Sequence, residues 1–86
     1  MMYQVVVAPA VNKVIAGLPQ DVRKRIALRL VALQSNPRPP GCIKLTGEDA
    51  YRIRVGDYRV IYTVDDGRLI VVVIDSGHRR EIYRKK

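Results

Sequence analysis

At 86 residues, the chain is long enough for one domain spanning residues 1–86 and too short for two. Sixteen Lys and Arg residues against eight Asp and Glu residues give a net charge of +8, which favours a polyanionic partner such as nucleic acid or an acidic protein. The single Cys and the single His exclude an intramolecular disulfide and a Cys/His metal site, so we expect a cytoplasmic protein without metal or cofactor. No apolar run approaches the roughly 20 residues of a membrane-spanning helix, and the first residues lack the basic segment of a signal peptide, so we expect no membrane association.

The N-terminal half predicts one strand followed by two helices. The segment YQVVVA (3–8) is rich in β-branched residues and is followed by Pro9, which is typical of a strand. From Pro9 to Gly17, the apolar residues are spaced at helical intervals, with Pro in the first turn and Gly at the end. A longer helix starts at Pro19, and its apolar residues form one stripe: Val22, Ile26, Leu30 and Leu33. Its basic residues lie mainly off that stripe, on a face that is either solvated or in contact with an RNA backbone: Arg23, Lys24, Arg25 and Arg29.

The C-terminal half predicts an antiparallel meander. The Pro-rich segment SNPRPPGC (35–42) ends the second helix. Three strands follow, at 50–55, 58–64 and 69–75, joined by two-residue turns at Gly56-Asp57 and Asp66-Gly67. The last strand is apolar on both faces and therefore belongs in the interior of the sheet. The predicted fold is α+β with the order β-α-α-β-β-β, in which two N-terminal helices pack on one face of a small, mostly antiparallel sheet.

The hairpin around Gly56-Asp57 concentrates positive charge on one face of the sheet. A two-residue turn places Arg54 directly across from Arg59, and the alternation of side chains along a strand puts Arg52 on the same face. This face points away from the helices, because the alternating apolar residues of both strands occupy the core side. Like charges opposed on a sheet destabilise it, and neither strand places an acidic residue near them on this face. A cluster of guanidinium groups without counter-charge is typical of a phosphate-binding site.

The C-terminal run SGHRREIYRKK extends the positive charge beyond the last strand. It adds five cations and one aromatic ring, namely Arg79, Arg80, Arg84, Lys85, Lys86 and Tyr83. If the run bends back across the sheet, Tyr83 would stack on a base or reach a phosphate with its hydroxyl group. The alternative is a solvated basic tail in which Tyr83 packs locally.

Three stretches of the sequence, IKLTG, YRIRVGDYRVIY and DSGHRREIY, follow the predicted strand and two helices. Together they resemble the RelE branch of the RelE/ParE toxin superfamily, and the resemblance covers essentially the whole chain. It implies a small toxin that enters the ribosomal A site and cleaves messenger RNA without metal, through attack of the 2′-hydroxyl on the adjacent phosphate. It also implies a cognate antitoxin that holds the toxin inactive in a hetero-oligomer, and contacts with ribosomal RNA.

The resemblance also assigns roles to individual residues. Arg52 and Arg54 match the basic pair on the first meander strand, and Arg59 matches the phosphate-binding arginine after the turn. Lys44 lies in the matching KL-G stretch and is expected to contact RNA. In the C-terminal run, the expected catalytic residues are Arg79 and Tyr83, and the expected RNA contacts are Arg80 and Arg84.

The basic pair departs from the best-known RelE pattern, which has lysines where this chain has arginines. Arginine does not readily lose its proton and is therefore a poor general base. Two candidates remain for that role, Tyr83 and His78, the second because imidazole titrates nearest to neutral pH. The other interpretation of His78 is an exposed turn residue without a catalytic role.

Two alternative functions remain open, a ParE-like toxin that inhibits DNA gyrase and an RNA-binding member of the superfamily that has lost catalysis. We also expect an acidic antitoxin, partly disordered until it binds, whose carboxylates neutralise the arginines. It would cover the apolar positions on the face of the arginines: Ile61, Ile70, Val72 and Ile74.

Overall fold

The computed structural model describes residues 2–47 and 49–78. In chain order, the elements are β1 (Gln4–Val7), α1 (Pro9–Ala16), α2 (Gln20–Ser35), β2 (Ile43–Lys44), β3 (Tyr51–Val55), β4 (Tyr58–Asp65) and β5 (Ile70–His78). They build a five-stranded sheet with the order β1-β5-β4-β3-β2, in which β1 runs parallel to β5 and the other neighbours are antiparallel. The predicted α+β fold is confirmed, and so is the interior position of the last strand.

The two helices cover one face of the sheet, as the apolar stripe predicts. Pro9 occupies the first turn of α1, and Pro19 precedes α2, where its fixed φ suits a helix start and its missing N–H is no loss. Ile26 and Leu33 of the predicted stripe are fully buried. They pack with Val11 of α1 and with the inward-facing residues of the sheet into one core: Ile53, Val55, Val60, Tyr62, Val71 and Val73. We call the other face of the sheet, away from the helices, the outer face.

Two details of the sheet differ from the prediction. The two-residue strand β2 was not predicted, because it is too short to show a period. The predicted two-residue turn at Asp66-Gly67 is wrong, since Asp65 pairs with Ile70 and four residues lie between them. The Asp65 carboxylate accepts a hydrogen bond from the backbone N–H of Arg68 at 3.0 Å, and Leu69 takes the left-handed conformation with φ 57°. A side-chain hydrogen bond thus favours the longer loop.

The Pro-rich segment after α2 is fastened to the end of the sheet opposite the Gly56-Asp57 turn. The buried Tyr62 hydroxyl donates a hydrogen bond to the carbonyl oxygen of Pro37 at 2.7 Å. Arg38 forms a forked ion pair with Asp66, with N–O distances of 2.9 and 3.2 Å, and Tyr3 donates to the same carboxylate at 2.7 Å. Residues from three separate parts of the chain therefore meet at this carboxylate.

No helix in the described ranges is both long and apolar enough to cross a membrane.

The predicted site residues Arg79, Arg80, Tyr83 and Arg84 lie outside the described residues. Their roles stay predictions.

Candidate nucleic-acid interface

The β3–β4 hairpin has the predicted register. Gly56 and Asp57 form the turn, Val55 pairs with Tyr58, and Arg54 pairs with Arg59. Gly56 has φ 61°, a conformation that glycine adopts without the steric cost that a Cβ would bring. Because Ile53 and Val55 are buried against the helices, the alternating Arg52 and Arg54 lie on the outer face, and Arg59 joins them by its pairing.

The three arginines differ in exposure, which the sequence did not predict. Arg54 is exposed and Arg52 is half-buried, but Arg59 is only 2% exposed and has an interaction partner in the folded chain. Arg59, unlike Arg54, is therefore not an open guanidinium group. The two residues also differ in position in the sheet: β4 has a neighbouring strand on each side of Arg59, whereas β2 pairs with β3 only at Tyr51 and Arg52. Arg54 thus sits where β3 is an edge.

A β-bulge in β5 brings an acidic residue to the outer face. Tyr62 pairs with Val73, and Ile61 pairs with Asp75, so Ile74 is the extra residue. Asp75 thereby lies on the same face as Arg52 and Arg59. Along β5, it is two residues before Gly77, the residue that pairs with Arg59. Strict alternation along an apolar strand assigns this carboxylate to the core side, so the sequence does not predict it on the outer face. Only the pairing register reveals it.

His78 lies on the other side of the sheet from the arginines. It pairs with Tyr58, which alternates with Arg59 along β4. The two rings meet edge to face, with centroids 5.5 Å apart and an interplanar angle of 86°. The same bulge that turns Asp75 outward turns His78 toward the helix side. Its role as general base stays a prediction, and the geometry separates it from the arginine cluster.

Lys44 is exposed but stands apart from the cluster. It pairs with Tyr51, whose side chain is on the helix side of the sheet and is stacked on the Tyr62 ring at 5.9 Å. Ile43, not Lys44, shares the outer face with Arg52. Contact of Lys44 with RNA stays a prediction, and it requires RNA to pass around the β2 edge.

A small hollow opens at the hairpin turn. It has a volume of about 60 Å³ and is lined by Arg54, Gly56, Asp57, Tyr58 and Arg59. Arg52 and Arg54 form no ion pair with a carboxylate among residues 2–47 and 49–78. The ion pairs Arg38–Asp66 and Arg68–Asp65 lie at the far end of β4. At the turn, Arg54 therefore carries a positive charge that no carboxylate among the described residues contacts in an ion pair.

The described residues contain no group of three or more His, Cys, Asp or Glu side chains close enough to hold a metal ion. The side chains that the hairpin brings together on the outer face are guanidinium groups. Each is a planar fork of N–H donors that matches two oxygens of a phosphate.

Comparison with known proteins identifies the family. Residues 5–83 match the model of the ParE toxin of type II toxin–antitoxin systems, parDE. The fold is similar to that of an arginine-to-alanine double mutant of the E. coli toxin RelE in the free state, with 31% identity, a TM-score of 0.81, and coverage of 96% of this chain and 92% of that one.

Two archaeal complexes show the same similarity. RelE from the RelE–RelB complex of Pyrococcus horikoshii is 30% identical, with a TM-score of 0.80 over 92% of this chain and 97% of that one. The RelB–RelE antitoxin–toxin complex of Methanococcus jannaschii contains a chain with 27% identity and a TM-score of 0.77, over 94% of this chain and 98% of that one. The chain thus belongs to the ParE toxin family within the RelE/ParE superfamily, and it is a RelE-like toxin of a type II toxin–antitoxin system.

Proposed function

We propose that the protein is a ribosome-dependent endoribonuclease that cleaves messenger RNA in the A site and so inhibits translation. The observation that carries this proposal is the pairing of Arg54 with Arg59 beside Arg52 on the outer face. Directly opposed like charges are unfavourable on a sheet. The exposed Arg54 forms no ion pair with a carboxylate among the described residues, and a ribonucleotide backbone would supply a negative charge for it. Membership of a toxin family with RelE-like structures supports the same conclusion.

The proposed reaction is an internal transfer at one phosphate. The 2′-oxygen forms a bond to phosphorus, the bond from phosphorus to the 5′-oxygen breaks, and the products end in a 2′,3′-cyclic phosphate and a 5′-hydroxyl. A base takes the 2′ proton, and an acid protonates the leaving 5′-oxygen. Negative charge develops on the phosphorane oxygens, and preorganised guanidinium donors stabilise that charge more than they stabilise the substrate.

Within this scheme, the arginines have different tasks. Arg54 is exposed and its guanidinium can follow the substrate, whereas Arg59 is buried and is held in one place. A fixed cation suits the transition state because it needs no reorganisation during the reaction. Tyr83 is our candidate for the proton carrier, since His78 is on the opposite face from Arg59.

We further propose a cognate antitoxin as the protein partner. The similar structures from P. horikoshii and M. jannaschii are complexes with RelB. On the outer face, Ile74 is 44% exposed and adjoins the half-buried Ile61, Ile70 and Val72, an apolar strip beside the cationic cluster. An acidic, amphipathic segment matches both properties. Mass spectrometry of the toxin co-expressed with the neighbouring reading frame should give a stable complex, and a lone monomer would contradict the proposal.

Gyrase inhibition is the second candidate, because the matching family model is that of ParE. Two assays separate the candidates. The purified protein is added to a defined message being translated, and the breaks and their end groups are mapped. In a parallel assay, the purified protein is added to gyrase with relaxed plasmid. Codon-positioned breaks with cyclic phosphate ends support the ribonuclease, and intact message with blocked supercoiling supports the ParE-like function.

A further inference from the structure

Helix α2 contributes two arginines to the hairpin end of the sheet. Nη1 of Arg29 donates a hydrogen bond to the carbonyl oxygen of Arg54 at 3.0 Å. One helical turn earlier, Arg25 lies against the turn itself, since a Cβ added at Gly56 would be 3.2 Å from Nη1 of Arg25. Residues four apart share one face of a helix, so both guanidinium groups reach the same edge of the hairpin.

These two arginines have no direct counter-charge in the described part of the chain. Neither forms an ion pair with a carboxylate among those residues. Arg25 and Arg54 are both exposed, and Arg29 is half-buried between α2 and the end of β3. The helix and the hairpin together therefore place Arg25, Arg29 and Arg54 around Gly56, where the exposed Asp57 is the neighbouring acidic residue. The spacing of Arg25 and Arg29 in the sequence puts them on one face of α2, but only the packing of α2 shows that they reach the hairpin.

We propose that Arg25 and Arg29 extend the RNA site from the hairpin onto α2, an inference that rests on the proposed function for the chemistry at Arg54 and Arg59. Arg29 is a positioning residue. Its hydrogen bond fixes the end of β3 against α2 and thereby fixes the direction in which the Arg54 side chain leaves the strand. Arg25 binds a backbone phosphate next to the reacting one.

The geometry at Gly56 suits close approach of a nucleic-acid backbone to Arg25. Gly56 has no side chain to stand between the guanidinium and a ligand, and its φ of 61° keeps larger residues from this position. Arg25 is at the edge of the hairpin, outside the hollow lined by Arg54 and Arg59. A phosphate bound there belongs to a neighbouring nucleotide, so Arg25 contributes to binding rather than to bond breaking.

The first test measures binding without cleavage. The probe is a short RNA oligonucleotide with 2′-O-methyl riboses, titrated over a range of salt concentrations. Arg25→Gln should weaken binding and reduce the slope of log K against log salt by about 0.7, the value for one lost phosphate contact on a single strand. The control is Arg68→Gln, the same change of charge on a side chain that is 80% exposed at the opposite end of the sheet. It should leave the slope unchanged.

The second test measures cleavage on the ribosome. Arg25→Gln should raise KM several-fold with kcat unchanged, because the contact is equal in the bound substrate and the transition state. Arg29→Met should lower kcat about tenfold, because methionine has no donor for the Arg54 carbonyl oxygen, and Arg29→Lys should restore most of it, since an ammonium group also donates to that oxygen. Denaturation of each variant in urea separates a loss of fold from a loss of positioning.

The outcomes distinguish this inference from the proposed function. If the parent cleaves and both α2 variants behave like Arg68→Gln, the inference is wrong and the proposed function stands. If the parent does not cleave but Arg25→Gln alone loses RNA affinity, the contact stands and the proposed function is wrong. If Arg25→Gln changes only the affinity for the co-expressed antitoxin, Arg25 belongs to the protein interface and the assignment to RNA is overturned.

Discussion

Two arginines that face each other across a turn have opposite physical environments. Arg54 is exposed on a stretch of β3 that has no further neighbour, and Arg59 is almost completely buried on an interior strand. Charge repulsion between them costs the free protein some stability, on the order of a few tenths of a kcal/mol to 1 kcal/mol for a directly opposed pair. Burial of Arg59 means that its contacts are part of the native packing. The two residues should therefore respond differently to the same substitution.

Arg54→Gln should leave the free energy of unfolding unchanged or raise it by up to about 1 kcal/mol, because it relieves the repulsion. Arg59→Gln should lower it by about 1–3 kcal/mol, because a buried, partnered guanidinium is lost. Both should reduce cleavage at least about a hundredfold, the usual cost of removing one donor to a developing anion. Urea denaturation and cleavage of a defined message check these outcomes. Equal effects on stability would show that burial of Arg59 does not matter to the fold.

At the scale of elements, the hairpin depends on one glycine. Gly56 has a left-handed backbone conformation, and a Cβ added to it would lie 3.2 Å from Nη1 of Arg25. The turn therefore lies close to α2 at this residue. The turn fixes the register of β3 against β4, and a slip of one residue would move the arginines into the core and the apolar residues to solvent. The local chemistry of the turn therefore controls the composition of the outer face.

Gly56→Ala should lower the free energy of unfolding by about 1–2 kcal/mol, because a Cβ is disfavoured at φ 61° and would crowd the Arg25 guanidinium. Gly17→Ala is the matched control. Gly17 has φ −86°, and a Cβ there would meet the carbonyl oxygen of Val14 at an ordinary 3.6 Å. That change should stabilise the protein by about 0.4–1 kcal/mol. Thermal or urea unfolding measures both, and similar losses in the two variants would argue against the turn-specific explanation.

At the scale of the whole molecule, the two ends of the sheet have different electrostatics. The hairpin end presents Arg54, Arg25 and Arg29, none of which forms an ion pair with a carboxylate among residues 2–47 and 49–78. The opposite end pairs Arg38 with Asp66 and adds the hydroxyl groups of Tyr3 and Tyr51 as hydrogen-bond partners. Hydrogen bonds from Arg38 and Tyr3 hold the pKa of Asp66 below its usual range, and the hydrogen bond to Asp66 raises the pKa of Tyr3. One end thus holds separate parts of the chain together, and the other is the end at which we propose that RNA binds.

The lowered pKa of Asp66 gives the stability a defined pH dependence. The contribution of this carboxylate is present above the ordinary carboxyl pKa of about 4 and is lost as the pH falls through the lower pKa of the folded state. Asp66→Asn should therefore destabilise the protein at pH 7 and should make little difference near pH 2. The exposed Asp49→Asn serves as the control for net charge. Urea midpoints across this range check the prediction, and a difference that persists undiminished at pH 2 would contradict it.

Residues that are close together in the sequence were sufficient to predict the helices, the long strands and one hairpin. Proline placement, apolar stripes and the Gly56-Asp57 turn depend on residues close in the chain, so the helices, the long strands and the Arg54–Arg59 pairing followed from the sequence. The Asp66-Gly67 turn failed because the Asp65 side chain stabilises a longer loop, an alternative that the dipeptide alone does not exclude.

The tertiary structure alone decided which charged groups share the site. Burial of Arg59 is visible only in the folded chain, and the faces of Asp75 and His78 depend on a bulge defined by the partner strand. The reach of Arg25 and Arg29 to the hairpin depends on how α2 lies across the sheet. These are contacts between residues distant in sequence, and their geometry is set by the packing of whole elements. The sequence therefore determined the charge and the strands that carry it, and the fold determined where that charge is open to a ligand.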